Sequence, residues 1–589
     1  MATTYVGMRC RGKRRHLVGR NLSILVAAVV ISCAGCGQGG GINTGAQAQS
    51  LGTSASDASA ALNPYPRRIS APPLKGAEWV NTPAPLSLAD FHGRFVLLDF
   101  WTFCCINCMH ILPELKKLEH AFPNELVVIG IHSAKFSGER VTDNIREAVL
   151  RYEIEHPVVN DAKMMIWNRY GAQSWPTLVL IDPLGDVVWA ASGERSFEDI
   201  KAVIDRGLPY YRSKGLLKPG PRPTIIGANK QPATPLKFPG KVLADEAGRR
   251  LFIADSNHNR IIIATLDGQL QQVIGSGVIG RNDGGFETCS FNHPQGMALV
   301  DSTLYIADTE NHLIRKADLT SRRVTTVAGT GEKGNAWSEL GIVGGNASDQ
   351  NGTGGRRSPK STSLSNPWAL WAHGKNLYIA MAGMHQIWKM SLDESEIGPY
   401  AGNAREDIVD GPLFSAAAYD PHVASFAQPS GLSSDGKRLF VADSEGSTVR
   451  SVPFDPNGKV ETLVGLTGTL FDFGDVDGTG RNIRLQHPLG VAWWGGKLYV
   501  ADTYNNKIKV MDVQRRTCHA LAGTGQPGNS DADNGKAATF NEPGGISAAA
   551  GKLFVADTNN HTIRVVESVA PFRVTTLEIR GLSAPSSRP

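Results

Sequence analysis

Cysteine is scarce in this sequence, and its scarcity argues against a structural metal site. The chain has eight cysteines among 589 residues. Beyond residue 36 they form a single Cys-x-x-Cys pair, Cys105 and Cys108, with Cys104 beside it, and only Cys289 and Cys518 follow. A structural zinc site needs four ligands, which two such pairs typically supply. The sequence therefore predicts neither a metal centre nor any other bound cofactor.

Acidic residues are absent from the first 36 positions, and the basic excess of the chain lies there. The formal net charge is +5, and subtracting the six Lys and Arg residues of that stretch leaves −1 for the remainder. A nearly neutral body offers no electrostatic footprint for DNA or RNA. No nucleic-acid partner is expected.

The N-terminal segment also lacks an apolar run long enough to cross a bilayer. Residues 22–31, about ten largely apolar positions behind a basic stretch, are typical of a secretory signal. Ala34-Gly35-Cys36 resembles a lipoprotein cleavage box, which implies a signal peptide over 1–36 and lipid on Cys36, with Cys33 as a second candidate. Gly37 follows, which implies the outer membrane in a two-membrane bacterium. We expect a lipid-anchored, periplasm-facing protein outside the cytoplasm.

Residues 37–75 are rich in Gly, Ser, Ala, Gln and Asn and predict a disordered tether. From residue 76 to 212, strands and helices alternate. The run at 94–101 is continuously apolar, as in a buried strand, and apolar residues then recur at helical spacing. The pattern predicts a small α/β domain.

Helical periodicity is absent beyond about residue 225, and a repeat replaces it. Six segments of similar sequence recur 53 to 73 residues apart: Leu251-Phe-Ile-Ala-Asp255, Leu304-Tyr-Ile-Ala-Asp308, Leu377-Tyr-Ile-Ala-Met381, Leu439-Phe-Val-Ala-Asp443, Leu498-Tyr-Val-Ala-Asp502 and Leu553-Phe-Val-Ala-Asp557. A proline turn precedes each and a glycine turn closes each. Six all-β units predict a six-bladed propeller over 236–582, after a Pro-rich linker at 213–235 and before a tail at 583–589.

Residues 99–108 carry the chemistry. A strand ends at Trp101 and a helix begins near Ile106, which places Cys105 at a helix N-terminus. Unpaired backbone N–H groups and the helix dipole there stabilise a thiolate, the attacking species in disulfide exchange. Cys108 lies on the same helical face and can resolve a mixed disulfide. The pair predicts a redox-active disulfide.

This domain resembles the thioredoxin superfamily. The resemblance implies that Asp99 is the buried carboxylate that moves the proton of Cys108, and that Pro176 forms the cis-proline turn facing the disulfide. Pro113 corresponds to the proline that kinks the active-site helix, and Gly193 to a glycine near the substrate groove. Ile106-Asn107 replaces the usual Gly-Pro, and Cys104 replaces an aromatic residue, which makes it a candidate auxiliary thiol.

The repeat resembles NHL repeats, through Asn311-His-Leu313 and its variants. The combination with Cys104-Cys-Ile-Asn-Cys108 resembles the NHL-repeat-containing thioredoxin-like proteins of bacteria and animals. We expect a thiol–disulfide oxidoreductase of multidomain fold, an α/β thioredoxin fold followed by the all-β propeller. Its partners would be protein or small-molecule disulfides and a redox partner, and the propeller would bind a protein.

Two other functions fit the same residues. Thr102-Phe-Cys-Cys105 has the Thr-x-x-Cys spacing of peroxiredoxins, although their upstream proline is replaced by Leu98. A binding module with a vestigial redox centre is the third interpretation. In the propeller, the repeated aspartates predict hydrogen bonds between blades, Asp475-Val-Asp-Gly478 hints at calcium, and His258, His312, His385 and His561 could converge on one face.

Overall fold

A computed structural model describes residues 62–76, 78–223, 233–335, 357–414 and 422–585. The predicted signal peptide, Cys33, Cys36 and most of the predicted tether lie outside these ranges. From Asn63 onward the chain forms one compact unit. Within the described ranges, no helix combines the length and the apolar character that spanning a bilayer requires.

The first part of the unit is a seven-stranded sheet with helices on both faces, as in thioredoxins. Strand order is β1-β7-β6-β3-β4-β5-β2. Central strand β3 runs parallel to β4 and antiparallel to β6, and all of its residues are buried. The elements are β1 (Ile69–Ser70), β2 (Glu78–Val80), β3 (Phe95–Trp101), α1 (Ile106–Ala121), β4 (Leu126–His132), α2 (Thr142–Arg151), β5 (Val158–Asn160), α3 (Met165–Tyr170), β6 (Thr177–Ile181), β7 (Asp186–Ser192) and α4 (Phe197–Ser213).

The folded domain extends beyond the predicted boundaries at both ends. Tyr65, assigned to the tether by composition, is buried, and its hydroxyl donates a hydrogen bond to the Val203 carbonyl at 2.6 Å. Ile69 pairs with Val187 of the sheet edge. On the other side, the amide of Lys218, in the predicted linker, donates to the Gly93 carbonyl at 2.8 Å. The first part of the linker is therefore held against the domain.

The second part is the expected six-bladed propeller, with one antiparallel sheet per blade. Blade 1 comprises β8 (Lys241–Asp245), β9 (Arg250–Asp255), β10 (Arg260–Thr265) and β11 (Leu270–Ile274), and blade 2 comprises β12 (Gly284–Gly285), β13 (Met297–Val300), β14 (Thr303–Asp308), β15 (Leu313–Asp318) and β16 (Arg323–Ala328). Blade 3 comprises β17 (Pro367–His373), β18 (Asn376–Met381), β19 (Gln386–Ser391) and β20 (Ile397–Ala401), and blade 4 comprises β21 (Gly411–Pro412), β22 (Pro429–Ser434), β23 (Arg438–Asp443), β24 (Thr448–Pro453) and β25 (Lys459–Val464). Blade 5 comprises β26 (Gly478–Thr479), β27 (Gly490–Trp494), β28 (Lys497–Asp502), β29 (Lys507–Asp512) and β30 (Thr517–Ala522), and blade 6 comprises β31 (Pro543–Ala549), β32 (Lys552–Asp557), β33 (Thr562–Glu567) and β34 (Val574–Leu577).

The ring closes where blade 6 meets blade 1. The Thr558 hydroxyl donates to the Pro239 carbonyl at 3.0 Å across this junction. Arg580, beyond the last strand, forms a bridge with Gln269 at the outer edge of blade 1. Its carbonyl accepts a hydrogen bond from the Leu270 amide at 3.0 Å. The two ends of the repeat array are thus joined by hydrogen bonds.

The repeated aspartates are structural, but they do not make the bonds between blades that the pattern predicted. Asp308 is buried, and its carboxylate accepts from the Asn292 amide at 2.8 Å and from Arg315 at 2.7 Å. These contacts tie a blade to the segment that enters it. The following hydroxyl residue carries the bond between blades, because Thr309 donates to the Pro367 carbonyl at 2.7 Å.

The weaker signals also have structural roles. His312, His385 and His561 each accept a backbone N–H of the next blade on Nδ1, at 3.0 to 3.2 Å. Asp475 pairs with Lys509 at 2.8 Å and with Lys507. The Asp475 carboxylate, which begins the segment that hints at calcium, is thus paired with two lysines of the same blade.

Candidate redox site

The cysteine pair lies where β3 gives way to α1. Cys105 is the N-cap of α1 in extended conformation, and its carbonyl accepts hydrogen bonds from the amides of Cys108 and Met109, each at 3.1 Å. Cys104, Cys105 and Cys108 are all free thiols. The predicted position of the helix start is confirmed, and the backbone N–H of Cys108 in the first turn of α1 helps to lower the pKa of the Cys105 thiol.

The two thiols of the pair are electrostatically unequal. Burial opposes ionisation of Cys105, but a hydrogen bond from Cys108 and the positive charge of Lys135 outweigh it and hold the pKa of Cys105 below its usual range. Burial, the hydrogen bond to Cys105 and the charges of Cys105 and Asp99 raise the pKa of Cys108 well above its usual range. Of the two thiols, Cys105 therefore ionises more readily, whereas Cys108 keeps its proton.

Asp99 lies on β3 beneath the pair and is fully buried. Neither of its carboxyl oxygens has a hydrogen-bond partner in the structure. Burial raises its pKa to about 7, partly offset by the charge of His156. A carboxyl that titrates near neutrality beside Cys108 can accept and return a proton.

Pro176 forms the turn that the resemblance implied. The Trp175–Pro176 peptide bond is cis, and the Pro176 carbonyl accepts from the Gly193 amide at 2.8 Å. The Trp175 indole donates to the Ser133 carbonyl at 2.7 Å, and its ring lies 5.2 Å from the Lys135 ammonium. This turn therefore positions the lysine that favours the Cys105 thiolate. Pro113 lies within α1, as expected.

The propeller covers this site. Cys104, Cys105 and Cys108 are each at most 1% exposed. The Ile106 amide donates to the Gln428 side chain at 3.0 Å, and the Cys104 thiol donates to Glu445 at 3.5 Å. Cys104 is thus held by the propeller, and burial raises its pKa well above the usual range. One face of the propeller therefore holds the redox domain of the same chain.

Sequence patterns do not predict the cluster of charged residues that lies at this junction. The Lys135 ammonium lies 3.0 Å from Glu445 and 3.5 Å from Glu406, both propeller residues. Burial opposes its charge, but Glu445, Cys105 and Glu406 together hold the pKa of Lys135 well above its usual range. Burial and Glu406 raise the pKa of Glu445 well above its usual range. On the redox-domain side, Glu139 accepts from the Cys104 amide at 2.9 Å and fixes the loop before the pair.

Further contacts hold the two parts together around the site. Arg151 of α2 pairs with Glu542 of the propeller at 2.7 Å, and its carbonyl accepts from Asn257 at 2.7 Å. The Ser137 hydroxyl donates to Gln486 at 2.7 Å. Phe136 packs against Phe473, His487 and Tyr504, with ring centroids 4.8 to 5.7 Å apart. The ion pair and the aromatic contacts are largely buried, and they show that the redox domain and the propeller share an interface around the site.

Fold and site together define a thioredoxin-like redox domain joined to a β-propeller. The family model described as thioredoxin-like matches residues 93–187, and the NHL repeat model matches residues 540–566. NHL repeat-containing protein 2 of Bos taurus is 44% identical over 527 residues, which cover 84% of this chain and 69% of that protein. The chain belongs to the NHL repeat-containing protein 2 family.

Two other relatives cover the chain differently. The protein Suppressor of quenching 1, chloroplastic, of Arabidopsis thaliana is 42% identical over 531 residues, which cover 87% of this chain and 48% of that protein. Thiol-disulfide oxidoreductase ResA of Geobacillus thermodenitrificans is 28% identical over 121 residues, which cover 20% of this chain and 66% of that protein. The thioredoxin-like domain therefore resembles thiol–disulfide oxidoreductases.

Proposed function

We propose that the chain is a thiol–disulfide oxidoreductase whose reactive pair is Cys105 and Cys108. The observation that carries the proposal is the inequality of the two thiols. Cys105 has a lowered pKa at the N-terminus of α1, and Cys108 donates a hydrogen bond to it. A nucleophile and a resolving thiol in this arrangement support two-step disulfide exchange.

In the reductive direction, the Cys105 thiolate attacks one sulfur of a substrate disulfide. A mixed disulfide forms, and the other substrate sulfur leaves as a thiolate and takes a proton from solvent. Asp99 then accepts the Cys108 proton, and the Cys108 thiolate attacks the Cys105 sulfur. The second substrate sulfur leaves and is protonated. The substrate has gained two electrons and two protons, and Cys105–Cys108 has become a disulfide that an external dithiol reduces by the reverse steps.

Access to this chemistry depends on the propeller. Because Cys105 is 1% exposed in the docked arrangement, a protein disulfide reaches it only when the two parts separate. The propeller therefore controls which disulfides Cys105 meets, by covering the nucleophile and by offering its own surface once the cover opens.

Insulin reduction by the purified full-length chain, with a dithiol as reductant, tests the assignment. Cys105→Ser should abolish turnover, and Cys108→Ser should accumulate mixed disulfides on Cys105. Cys104→Ser is the matched control and should keep turnover within about twofold. Full activity of Cys105→Ser would refute the assignment. Peroxide consumption by Cys108→Ser at the wild-type rate would favour a thiol peroxidase instead.

The same proposal places the chain outside the cytoplasm on a lipid anchor at Cys36. The support is the short apolar run at 22–31 behind a basic stretch, followed by Ala34-Gly35-Cys36. Metabolic labelling with a palmitate analogue should be lost in Cys36→Ala. Label that persists there and disappears in Cys33→Ala would move the anchor to Cys33, and label that persists in both would refute lipidation at this segment.

A further inference from the structure

A cavity of about 400 Å³ lies between the redox domain and the propeller. Met109 and Leu112 of α1 line it from the redox domain. All six blades contribute to the opposite wall, so the cavity lies on the propeller axis. The lining includes one residue from each of blades 1 to 6, in order Lys241, Thr309, Trp368, Gln428, Leu489 and Gly544. Its walls therefore belong to both parts and are complete only when they are docked.

Lys241 is the unusual group on this wall. It begins the first strand of blade 1 and is 8% exposed. Its ammonium donates to the Gly544 carbonyl at 3.3 Å and to the Leu489 carbonyl, which lie on blades 6 and 5. Burial lowers the pKa of Lys241 to about 7. A buried ammonium held only by neutral carbonyls is poorly compensated.

The other cations on the wall differ from Lys241 because each has a carboxylate partner. Arg151 pairs with Glu542 at 2.7 Å, and Lys116 pairs with Glu155 at 2.6 Å. Within the described ranges, no ion pair joins a carboxylate to Lys241. Glu310, a half-buried carboxylate of the same wall, accepts a hydrogen bond from Asn366 at 3.1 Å. The unmatched buried charge on this wall is thus positive.

We propose that this cavity binds a small organic anion with an apolar body, whose carboxylate pairs with Lys241 and whose apolar part contacts α1. The volume lies within the range of about 300–1,000 Å³ that small-molecule sites occupy. Ile279, on the lining, is 51% exposed, which places one side of the cavity at solvent and gives the ligand an entrance. Phe103, Met109, Leu112 and Trp368 supply apolar and aromatic surface for its body.

The site also couples to the proposed redox function. A ligand that contacts both walls binds the docked arrangement better than the separated one, and by linkage it lowers the population of separated molecules. Since Cys105 is reached only after separation, the anion would protect Cys105. The consequence for substrate access rests on the proposed function, whereas the binding site itself does not.

Calorimetric titration of the full-length chain with sodium octanoate tests the site, with octanamide as the uncharged analogue. Octanoate should bind at least about tenfold more tightly than octanamide, and Lys241→Met should remove that preference. Lys116→Met, whose cation at the cavity wall is already paired, is the matched control and should retain it. Equal affinities for the two probes, no binding of octanoate, or an unchanged preference in Lys241→Met would each overturn the proposal. If Lys241→Met fails to fold, the comparison of the two probes on the unmodified chain decides.

The rate of Cys105 labelling by N-ethylmaleimide tests the coupling. Octanoate at ten times its Kd should slow labelling by about elevenfold, because it withdraws docked molecules from the opening equilibrium. Binding without slower labelling would overturn the coupling. Neither assay uses redox turnover, so the anion site can fail while insulin reduction persists, and insulin reduction can fail while the anion site is found.

Discussion

Replacing Asp99 by Asn should stabilise the redox domain above neutral pH and slow the resolving step. Asp99 is fully buried and neither carboxyl oxygen has a hydrogen-bond partner. Asn has nearly the same shape but no charge. The substitution therefore removes the burial of a charge without opening a cavity.

The size of the effect follows from the pKa. Burial raises the pKa of Asp99 from 3.8 to about 7. Between these values the native state binds one proton more than the unfolded state, so stability falls as pH rises and the full loss is present above about pH 7. At about 1.4 kcal/mol for each pKa unit, this loss is about 4 kcal/mol. Below about pH 4 both states carry the proton, and Asp99→Asn should match the wild type.

Urea unfolding followed by helical circular dichroism measures this, because the α-helices of the described ranges all lie in the redox domain. The difference in unfolding free energy between Asp99→Asn and wild type should be about 4 kcal/mol near pH 8 and close to zero near pH 4. Asp205→Asn, an exposed carboxylate of α4, is the control and should show no pH-dependent gain. A gain that is the same at both pH values, or no gain, would refute the burial argument.

Three further outcomes follow from the contacts around the site. Lys135→Met removes the positive charge that favours the Cys105 thiolate, so thiolate absorbance should titrate at higher pH; an unchanged midpoint would contradict its role. Arg151→Met leaves Glu542 buried without its cation, at a cost of about 3–5 kcal/mol, and should speed labelling of Cys105 by about a hundredfold or more. Arg146→Met, from an exposed pair on the same helix, should leave the rate unchanged. Equal labelling rates in the wild type and both variants would show that the Arg151–Glu542 pair does not hold the propeller over the site. Arg315→Met leaves buried Asp308 without its ion-pair partner and should lower the melting temperature of the propeller. Arg281→Met, from an exposed pair, should leave the melting temperature unchanged. Matching melting curves for the two variants would contradict the structural role of the repeated aspartates.

The elements that sequence patterns predicted are those whose signal is local. The start of α1 after Cys105 follows from a buried strand next to a helical period, and the propeller follows from six repeats of one strand. The predicted domain start at residue 76 is too late, because Tyr65 and Ile69 are isolated apolar residues in a polar segment that gives no sign of the sheet they join. Tyr65 bonds to Val203 and Ile69 pairs with Val187, partners that lie more than 100 residues away along the chain.

The covered state of the redox site could not be predicted from sequence. Cys104 and Glu445 are 341 residues apart, and Arg151 and Glu542 are 391 apart. Lys135 and Glu445 belong to no recognisable sequence motif. Without the structure, a charged residue that is buried cannot be distinguished from one at the surface. A Pro-rich linker is semi-rigid and favours proximity of the two parts, but it does not specify which face the redox domain covers.

A redox titration of the full-length chain tests the central claim most directly. The chain is equilibrated in buffers with an increasing ratio of oxidised to reduced dithiothreitol and is then quenched with acid. The free thiols are alkylated under denaturing conditions and assigned by mass spectrometry. The account predicts one two-electron transition in which Cys105 and Cys108 are lost together as a disulfide, unchanged in Cys104→Ser and absent in Cys105→Ser and Cys108→Ser. A transition that requires Cys104, or a pair that stays reduced across the whole range, would contradict the assignment of Cys105 and Cys108 as the redox centre.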